Sequence, residues 1–151
     1  MNYQLTPETN KPRIVTVLSV SPLADDYFSL QAIFSHSKRA LYRADSLASA
    51  MAAIRRWEIG VVLCERDLSP GTWIDMLEEL RVLPNAPPLI VTSRLADDRL
   101  WAEALNLGAY DVLAKPFELR ELVRSVNLAW LHWYHQREVQ TRGWNLLQAA
   151  S

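Results

Sequence analysis

The chain lacks several features that would assign it to a protein class at once. Its 151 residues include one cysteine, Cys64, so no intramolecular disulfide is possible. Cys64 lies in an apolar run, which is typical of a small buried hydrophobe in a protein from a reducing compartment. No apolar run approaches the roughly 18 residues of a transmembrane helix, and the N-terminus has no secretory signal core. We therefore expect a soluble cytoplasmic protein that does not use a membrane.

The chain also lacks a strong charge of either sign. Its 16 Lys and Arg residues are balanced by 17 Asp and Glu residues, which gives a net charge of -1. Such a chain exerts no broad attraction on nucleic acid or anionic lipid, and it shows no basic helix-turn-helix segment. Half of its residues are hydrophobic, which is enough for one good core. We expect one domain and no nucleic-acid partner.

Short apolar runs alternate with segments of helical spacing along residues 13–128. The clearest runs are RIVTVLSV, IGVVLCE, PPLIVTS and AYDVLAK, and RALYRA is a weaker fifth. Continuous apolar strands of this kind are typical of a parallel sheet covered on both faces, so the pattern predicts a doubly wound α/β domain of five strands and five helices. Residues 1–12 should form a flexible lead, and residues 129–151 should extend the last helix into a C-terminal tail.

Polar or charged residues stand at the ends of four of these strands. Ser21 follows the first strand, Glu65 ends the third, Thr92 lies near the end of the fourth, and Lys115 follows the fifth. The functional cleft of a doubly wound sheet lies outside the carboxyl ends of its strands. We therefore expect these side chains to converge in one pocket.

At these strand ends the sequence resembles the receiver domain of bacterial two-component response regulators. LIVTS is similar to the family strand that ends in a switch Thr or Ser, and GAYDVLAKPF is similar to the segment with the family's Lys-Pro turn. The resemblance covers about residues 13–128. It implies a flavodoxin-like (βα)5 fold with strand order 2-1-3-4-5, and a cis bond between Lys115 and Pro116.

The resemblance also implies roles for the residues at the strand ends. In the family, an Asp at the end of strand three accepts a phosphoryl group, an acidic pair after strand one holds Mg²⁺, and a Thr or Ser and a Lys contact the phosphoryl oxygens. Alignment through Gly71 places Glu65 at the acceptor position, and Thr92 and Lys115 match their family counterparts.

Other positions depart from the family pattern. Ser21 and Pro22 stand where the acidic pair is expected, so the Mg²⁺ site should be lost and no cofactor is expected. Val112 replaces the aromatic residue of the family's rotamer switch. Asp25 and Asp26 are the nearest acidic pair, and we interpret them as first-turn charges that favour the helix dipole rather than as replacement ligands.

Glu65 has two interpretations. Its side chain is one methylene longer than that of Asp, so its carboxylate could imitate an aspartyl phosphate permanently, with a hydrogen bond from Thr92. Alternatively, Glu65 simply pairs with Lys115 in a pocket that is neutral without metal. Asp67 is a further candidate acceptor, but its place in the turn favours a role in turn formation.

The last helix is apolar around most of its circumference. Such a helix needs a second covering surface, so we expect an intermolecular contact and a homodimer. The alternative is that the tail GWNLLQAAS folds back over the helix. The predicted interface residues are Leu128, Trp130, Leu131, Trp133 and Tyr134.

These observations predict a stand-alone pseudo-receiver that is not an enzyme. It would act by contact with signalling proteins, either a histidine kinase or a downstream partner. One alternative is an active receiver whose phosphoacceptor is an unorthodox residue. Another is a small flavodoxin-like FMN-binding protein, although the segment SVSP lacks the glycine-rich loop that such a site uses.

Overall fold

The computed structural model describes residues 14–35 and 37–150, and the expected flexible lead over residues 1–12 lies outside them. Five strands form one fully parallel sheet. The strands are β1 (Val15–Val20), β2 (Arg39–Ala44), β3 (Val61–Glu65), β4 (Leu89–Ser93) and β5 (Asp111–Ala114). Their order in the sheet is β2-β1-β3-β4-β5, as predicted.

One helix follows each strand, and local side-chain chemistry sets several helix ends. The side chains of Ser46, Thr72 and Asp97 accept hydrogen bonds from backbone N–H groups in the first turns of the second, third and fourth helices. Gly108 ends the fourth helix with a left-handed φ of 103°. The helices are α1 (Ala24–Phe34), α2 (Leu47–Arg56), α3 (Trp73–Arg81), α4 (Asp98–Leu107) and α5 (Leu119–Ala150).

The two faces of the sheet bury separate cores. Successive strand residues point to opposite faces, so Val62 and Cys64 pack under α2, α3 and α4, whereas Val61 and Leu63 pack under α1 and α5. The two helix layers leave the central strands β1, β3 and β4 buried almost throughout. This burial explains why these strands are continuous apolar runs in the sequence.

The sheet covers the two tryptophans of α5 that were predicted to form an intermolecular surface. Trp130 is 8% exposed and Trp133 is 6% exposed, and both pack so tightly on Gly60 that a Cβ there would lie 2.6 Å from Trp130 Cδ1. Their assignment to an interface is therefore corrected, because they belong to the core of the chain. Leu128 and Leu131 are exposed, and their place in an interface stays a prediction.

The other interface residue and the tail also have defined positions. Tyr134 is half-buried, and its ring stacks on Trp130 with centroids 5.2 Å apart. The segment that could have folded back instead continues α5 to Ala150, with its side chains exposed. The boundary predicted near residue 128 therefore falls inside one continuous helix.

Replacement of Trp133 by Phe should destabilise the fold measurably. Trp133 Nε1 donates a 2.9 Å hydrogen bond to the carbonyl oxygen of Asn85, and Phe would leave that carbonyl without its donor. We expect a loss of about 1–3 kcal/mol in the free energy of unfolding, measured by urea titration. Trp101→Phe, on the exposed side of α4, is the matched control. Equal losses for the two variants would contradict this account.

Candidate functional site

The carboxyl ends of the strands bring the predicted pocket residues together. Glu65 is the last residue of β3 and lies in register with Thr92 on β4. Lys115 follows β5 and Ser21 follows β1, and all four side chains belong to buried residues. Pro22, by contrast, is exposed at the rim.

Lys115 lies at the centre of this pocket. Its ammonium donates a hydrogen bond to Glu65 Oε1 and another, of 2.7 Å, to Asp26 Oδ2. Ser21 Oγ donates to the same Asp26 oxygen at 2.7 Å and accepts from the backbone N–H of Leu23 at 3.0 Å. One cation therefore joins two carboxylates from α1 and β3.

The sequence prediction did not place Asp26 in this pocket. Asp26 is 8% exposed and points inward from the first turn of α1, whereas Asp25 beside it is exposed. The interpretation of Asp26 as a dipole charge alone is therefore corrected. Helical spacing could have found it, since Leu30 and Phe34 follow Asp26 by four and eight residues on the buried stripe.

The pocket carries a net formal charge, whereas the sequence had led us to expect a neutral pocket. Two carboxylates and one ammonium give a formal charge of -1 for the group of Asp26, Glu65 and Lys115. Each attraction is worth roughly 4 kcal/mol at about 4 Å and an effective dielectric of about 20, and the loss of hydration offsets much of it. The ammonium is therefore what makes burial of both acids tolerable.

The second oxygen of Glu65 is held by the loop that follows β3. The backbone N–H of Asp67 donates to Glu65 Oε2 at 3.1 Å. The carboxylate of Asp67 turns outward and pairs with Arg66 at 3.0 Å, which supports its role as a turn residue. Within the described residues, the donors to the Glu65 carboxylate are Lys115 and Asp67, and the bond expected from Thr92 is not among them.

Two further side chains near the pocket are buried in the core. Val112, at the position of the family's aromatic switch, packs in the apolar layer under α2, α3 and α4. Burial, with a smaller contribution from Glu65, raises the pKa of the Cys64 thiol above its usual range. The thiol therefore stays protonated and is a poor nucleophile. Neither residue offers a group for chemistry in the pocket.

The donor set of the pocket is a poor fit for Mg²⁺. This ion requires carboxylate or water oxygens in near-octahedral geometry. Asp26 Oδ2 and Glu65 Oε1 are both bonded to Lys115, and Pro22 contributes no side-chain oxygen. Across residues 14–35 and 37–150, no three His, Cys, Asp or Glu side chains form a cluster suited to a metal. A divalent ion would compete with the ammonium for these oxygens.

A family comparison decides what kind of domain carries this pocket. A model of the response regulator receiver domain matches residues 25–127 of the chain. The chain belongs to the response regulator receiver domain family. Receiver domains are modules of two-component signal transduction, and the Lys115–Pro116 bond of this receiver is cis, as the resemblance implied.

The curated relatives of this receiver include two transcriptional regulatory proteins. The transcriptional regulatory protein CpxR of Klebsiella pneumoniae is 40% identical over 73 residues, which are 46% of this chain and 31% of CpxR. The transcriptional regulatory protein ZraR of Salmonella typhimurium is 29% identical over 83 residues, 55% of this chain and 19% of ZraR. The chain thus spans less than a third of the length of either relative.

Solved structures confirm the fold of the receiver. The signal receiver domain of an HD domain-containing protein from Pseudomonas fluorescens has a TM-score of 0.77 at 23% identity, covering 91% of this chain and 98% of that one. A putative response regulator from Chloroflexus aurantiacus has a TM-score of 0.72 at 23% identity, covering 79% and 99%. None of the helices in the described part of the chain combines the length and apolar character needed to cross a bilayer.

Proposed function

We propose that this receiver is a pseudo-receiver, which signals by protein contact and accepts no phosphoryl group. The observation that carries the proposal is the ammonium of Lys115, held between Glu65 and Asp26. Acyl-phosphate formation needs a carboxylate nucleophile and a divalent cation that offsets the charge of the incoming group. Here both carboxylates are already bound to an internal cation.

The same contacts support a permanent imitation of the activated state. Glu65 carries its carboxylate one methylene further from the backbone than Asp would, and that carboxylate bridges Lys115 and the loop after β3 through Asp67. With Val112 at the switch position, no aromatic ring is available there to change rotamer. We propose that the pocket holds one set of contacts rather than alternating between two.

The output of such a module depends on its exposed surfaces. The edge strand β5 is flanked by α4 and α5, and both helices expose apolar side chains. We propose that this face binds the signalling partner, a histidine kinase or a downstream protein, in the cytoplasm, and that the module is not an enzyme. The exposed apolar residues are Trp101 and Leu105 on α4 and Leu128 and Leu131 on α5.

Incubation with acetyl phosphate and Mg²⁺ should leave the mass of the receiver unchanged. The reason is that Lys115 supplies one positive charge, which Glu65 and Asp26 already share. Neither Ser21 nor Pro22 has a carboxylate that would bind a second cation. Intact-mass spectrometry under conditions that preserve acyl phosphates measures the result.

The opposite outcome would support the second candidate function, an active receiver with an unorthodox phosphoacceptor. Asp26 and Glu65 are the buried carboxylates of this pocket, so they are the acceptors to examine. A stoichiometric gain of one phosphoryl group that disappears in Glu65→Gln would refute the pseudo-receiver. A gain that persists in Glu65→Gln but disappears in Asp26→Asn would also refute it and would move the acceptor to α1.

A further inference from the structure

The last three turns of α5 extend beyond the body of the domain. Arg137 still contacts the body of the domain, since it pairs with Glu58 at 2.8 Å and lies over the ring of Trp133. Residues 139–150 are all exposed, and a Cβ at Gly143 would meet nothing within 4 Å. We call these twelve residues the overhang, and at 1.5 Å per residue they project about 18 Å.

The composition of the overhang gives it little helical stability of its own. In proteins most helical stability comes from packing of an apolar face rather than from helix propensity. Gly143 costs the overhang about 1 kcal/mol relative to alanine. Trp144 is 62% exposed and Leu147 is 70% exposed, so the large apolar groups that could compensate remain in water. We therefore expect the overhang to pack against another protein surface.

Helical spacing shows which side of α5 needs that partner. Trp144 and Leu147 continue the series Trp133, Arg137 and Gln140, in alternating steps of four and three residues. Because Trp133 faces the sheet, Trp144 and Leu147 lie on the same side of the helix, beyond the end of the body. They project over the base of the domain, where β4 and β5 begin.

A cleft opens at this base, beside α5. It has a volume of about 480 Å³ and lies at the opposite end of the sheet from the pocket of Lys115. Its mixture of apolar and polar groups suits an indole ring, which needs apolar contact and an acceptor for its N–H group. The lining includes Leu83, Asn85, Tyr110, His132, Gln136 and Gln140. We call it the basal cleft.

We propose that the overhang and the basal cleft form a homodimer, in which Trp144 of each copy enters the cleft of the other. Two α5 helices would cross antiparallel near Gln140. Trp144 lies four residues, or about 6 Å, beyond Gln140, and Gln136 of the cleft lies the same distance before it. The antiparallel crossing therefore places Trp144 beside Gln136 of the second copy. The sequence predicts a homodimer through Leu128, Leu131 and Tyr134, and this proposal gives the homodimer a different interface. The contact is independent of the state of Glu65.

Steric considerations favour this arrangement over a parallel helix pair. The side of α5 that carries Trp144 is the side that is covered by the sheet up to Trp133. A parallel partner on that side would bring its own body into the space of the first. In the antiparallel pair the bodies lie at opposite ends, and the residues that meet at the crossing, Gln136, Gln140 and Gly143, carry no charge and include a glycine that permits close approach.

The two Trp144 contacts supply a large share of the area that a specific dimer needs. Each of two Trp144 side chains buries about 150–250 Å², and each covers a surface of similar size on the other copy. Together these account for on the order of 600–1,000 Å², before Leu147 of each copy and the helix backbones are added. Specific interfaces begin at about 1,200 Å². Two-fold symmetry makes the two Trp144 contacts equivalent, as in most homodimers.

Trp144→Glu should convert the dimer to a monomer. Sedimentation velocity or light scattering of the full chain over a range of concentrations should show self-association weakened by about 100-fold or more, because a central buried tryptophan would be lost. Leu146→Glu is the matched control, since Leu146 is exposed on the same overhang but two residues, or about 200° of helical rotation, from Trp144. Circular dichroism checks that both variants fold. A wild-type monomer, a dimer that survives Trp144→Glu, or one that Leu146→Glu dissociates would overturn the proposal.

Disulfide trapping tests the orientation. A mixture of Gln136→Cys and Gly143→Cys chains should yield a mixed disulfide dimer under mild oxidation, while each variant alone should cross-link poorly. A parallel pair would instead cross-link each variant with itself, and that result would overturn the antiparallel arrangement. The acetyl phosphate experiment reads a different site, so failure of the dimer leaves the pseudo-receiver proposal standing, and the reverse also holds.

Discussion

Lys115→Met is expected to lower the free energy of unfolding by about 3–5 kcal/mol, because removal of one partner from a buried ionic group leaves uncompensated charge. The ammonium of Lys115 is the cation that Asp26 and Glu65 share, and all three residues are buried. Without it two carboxylates remain close together in a site from which water is largely excluded. Urea unfolding followed by circular dichroism measures the loss.

Matched variants separate this charge effect from a general effect of the substitution. Lys38→Met removes an exposed lysine and should change stability by less than about 0.5 kcal/mol. Adding Glu65→Gln and Asp26→Asn to Lys115→Met removes the stranded charges and should recover most of the loss. If Lys115→Met is no worse than Lys38→Met, the ammonium does not hold the pocket together.

The combined replacements Ser21→Asp, Pro22→Asp and Glu65→Asp should create a receiver that binds Mg²⁺ and accepts a phosphoryl group. They rebuild the family's carboxylate cluster, which supplies the oxygen ligands that Mg²⁺ requires. Ser21 is buried next to Asp26, so a carboxylate there adds repulsion that a divalent ion would relieve. We expect the melting temperature of this variant to rise with Mg²⁺ and acetyl phosphate to add one phosphoryl group.

Glu65→Asp alone is the control for the combined variant. It shortens the acceptor side chain but leaves Ser21 and Pro22 in place, so it should remain unmodified and its melting temperature should not respond to Mg²⁺. Phosphorylation of this single variant would show that the length of Glu65 is the only obstacle. A combined variant without any response to Mg²⁺ would show that Lys115 and Asp26 still block the site.

The strand pattern made the fold and part of the pocket predictable. Continuous apolar runs such as IGVVLCE indicate strands buried on both faces, and their alternation with helices leaves few topologies open. In a parallel sheet all carboxyl ends lie at one edge. Glu65, Thr92 and Lys115 could therefore be placed together although they are up to 50 residues apart. The family resemblance added the strand order and the cis bond before Pro116.

Tertiary structure decided which of two adjacent acids enters the pocket. Asp25 and Asp26 have the same chemistry, and one residue along a helix is a rotation of about 100°. That rotation turns Asp26 toward Lys115, 89 residues away in the sequence, and leaves Asp25 in water. The charge of the pocket changed with it, because one further buried carboxylate converts a neutral pair into a group with a formal charge of -1.

The last helix also shows what the sequence determines and what only the tertiary structure decides. Its sequence established a long helix that is apolar on more than one side, but it could not tell which side the sheet covers or where the body ends. Packing on Gly60 buries Trp130 and Trp133 and leaves Leu128 exposed, and the body ends near Arg137, so Trp144 projects beyond it. Periodicity records the spacing of apolar side chains along a helix. Only the position of the sheet decides which of them lose contact with water.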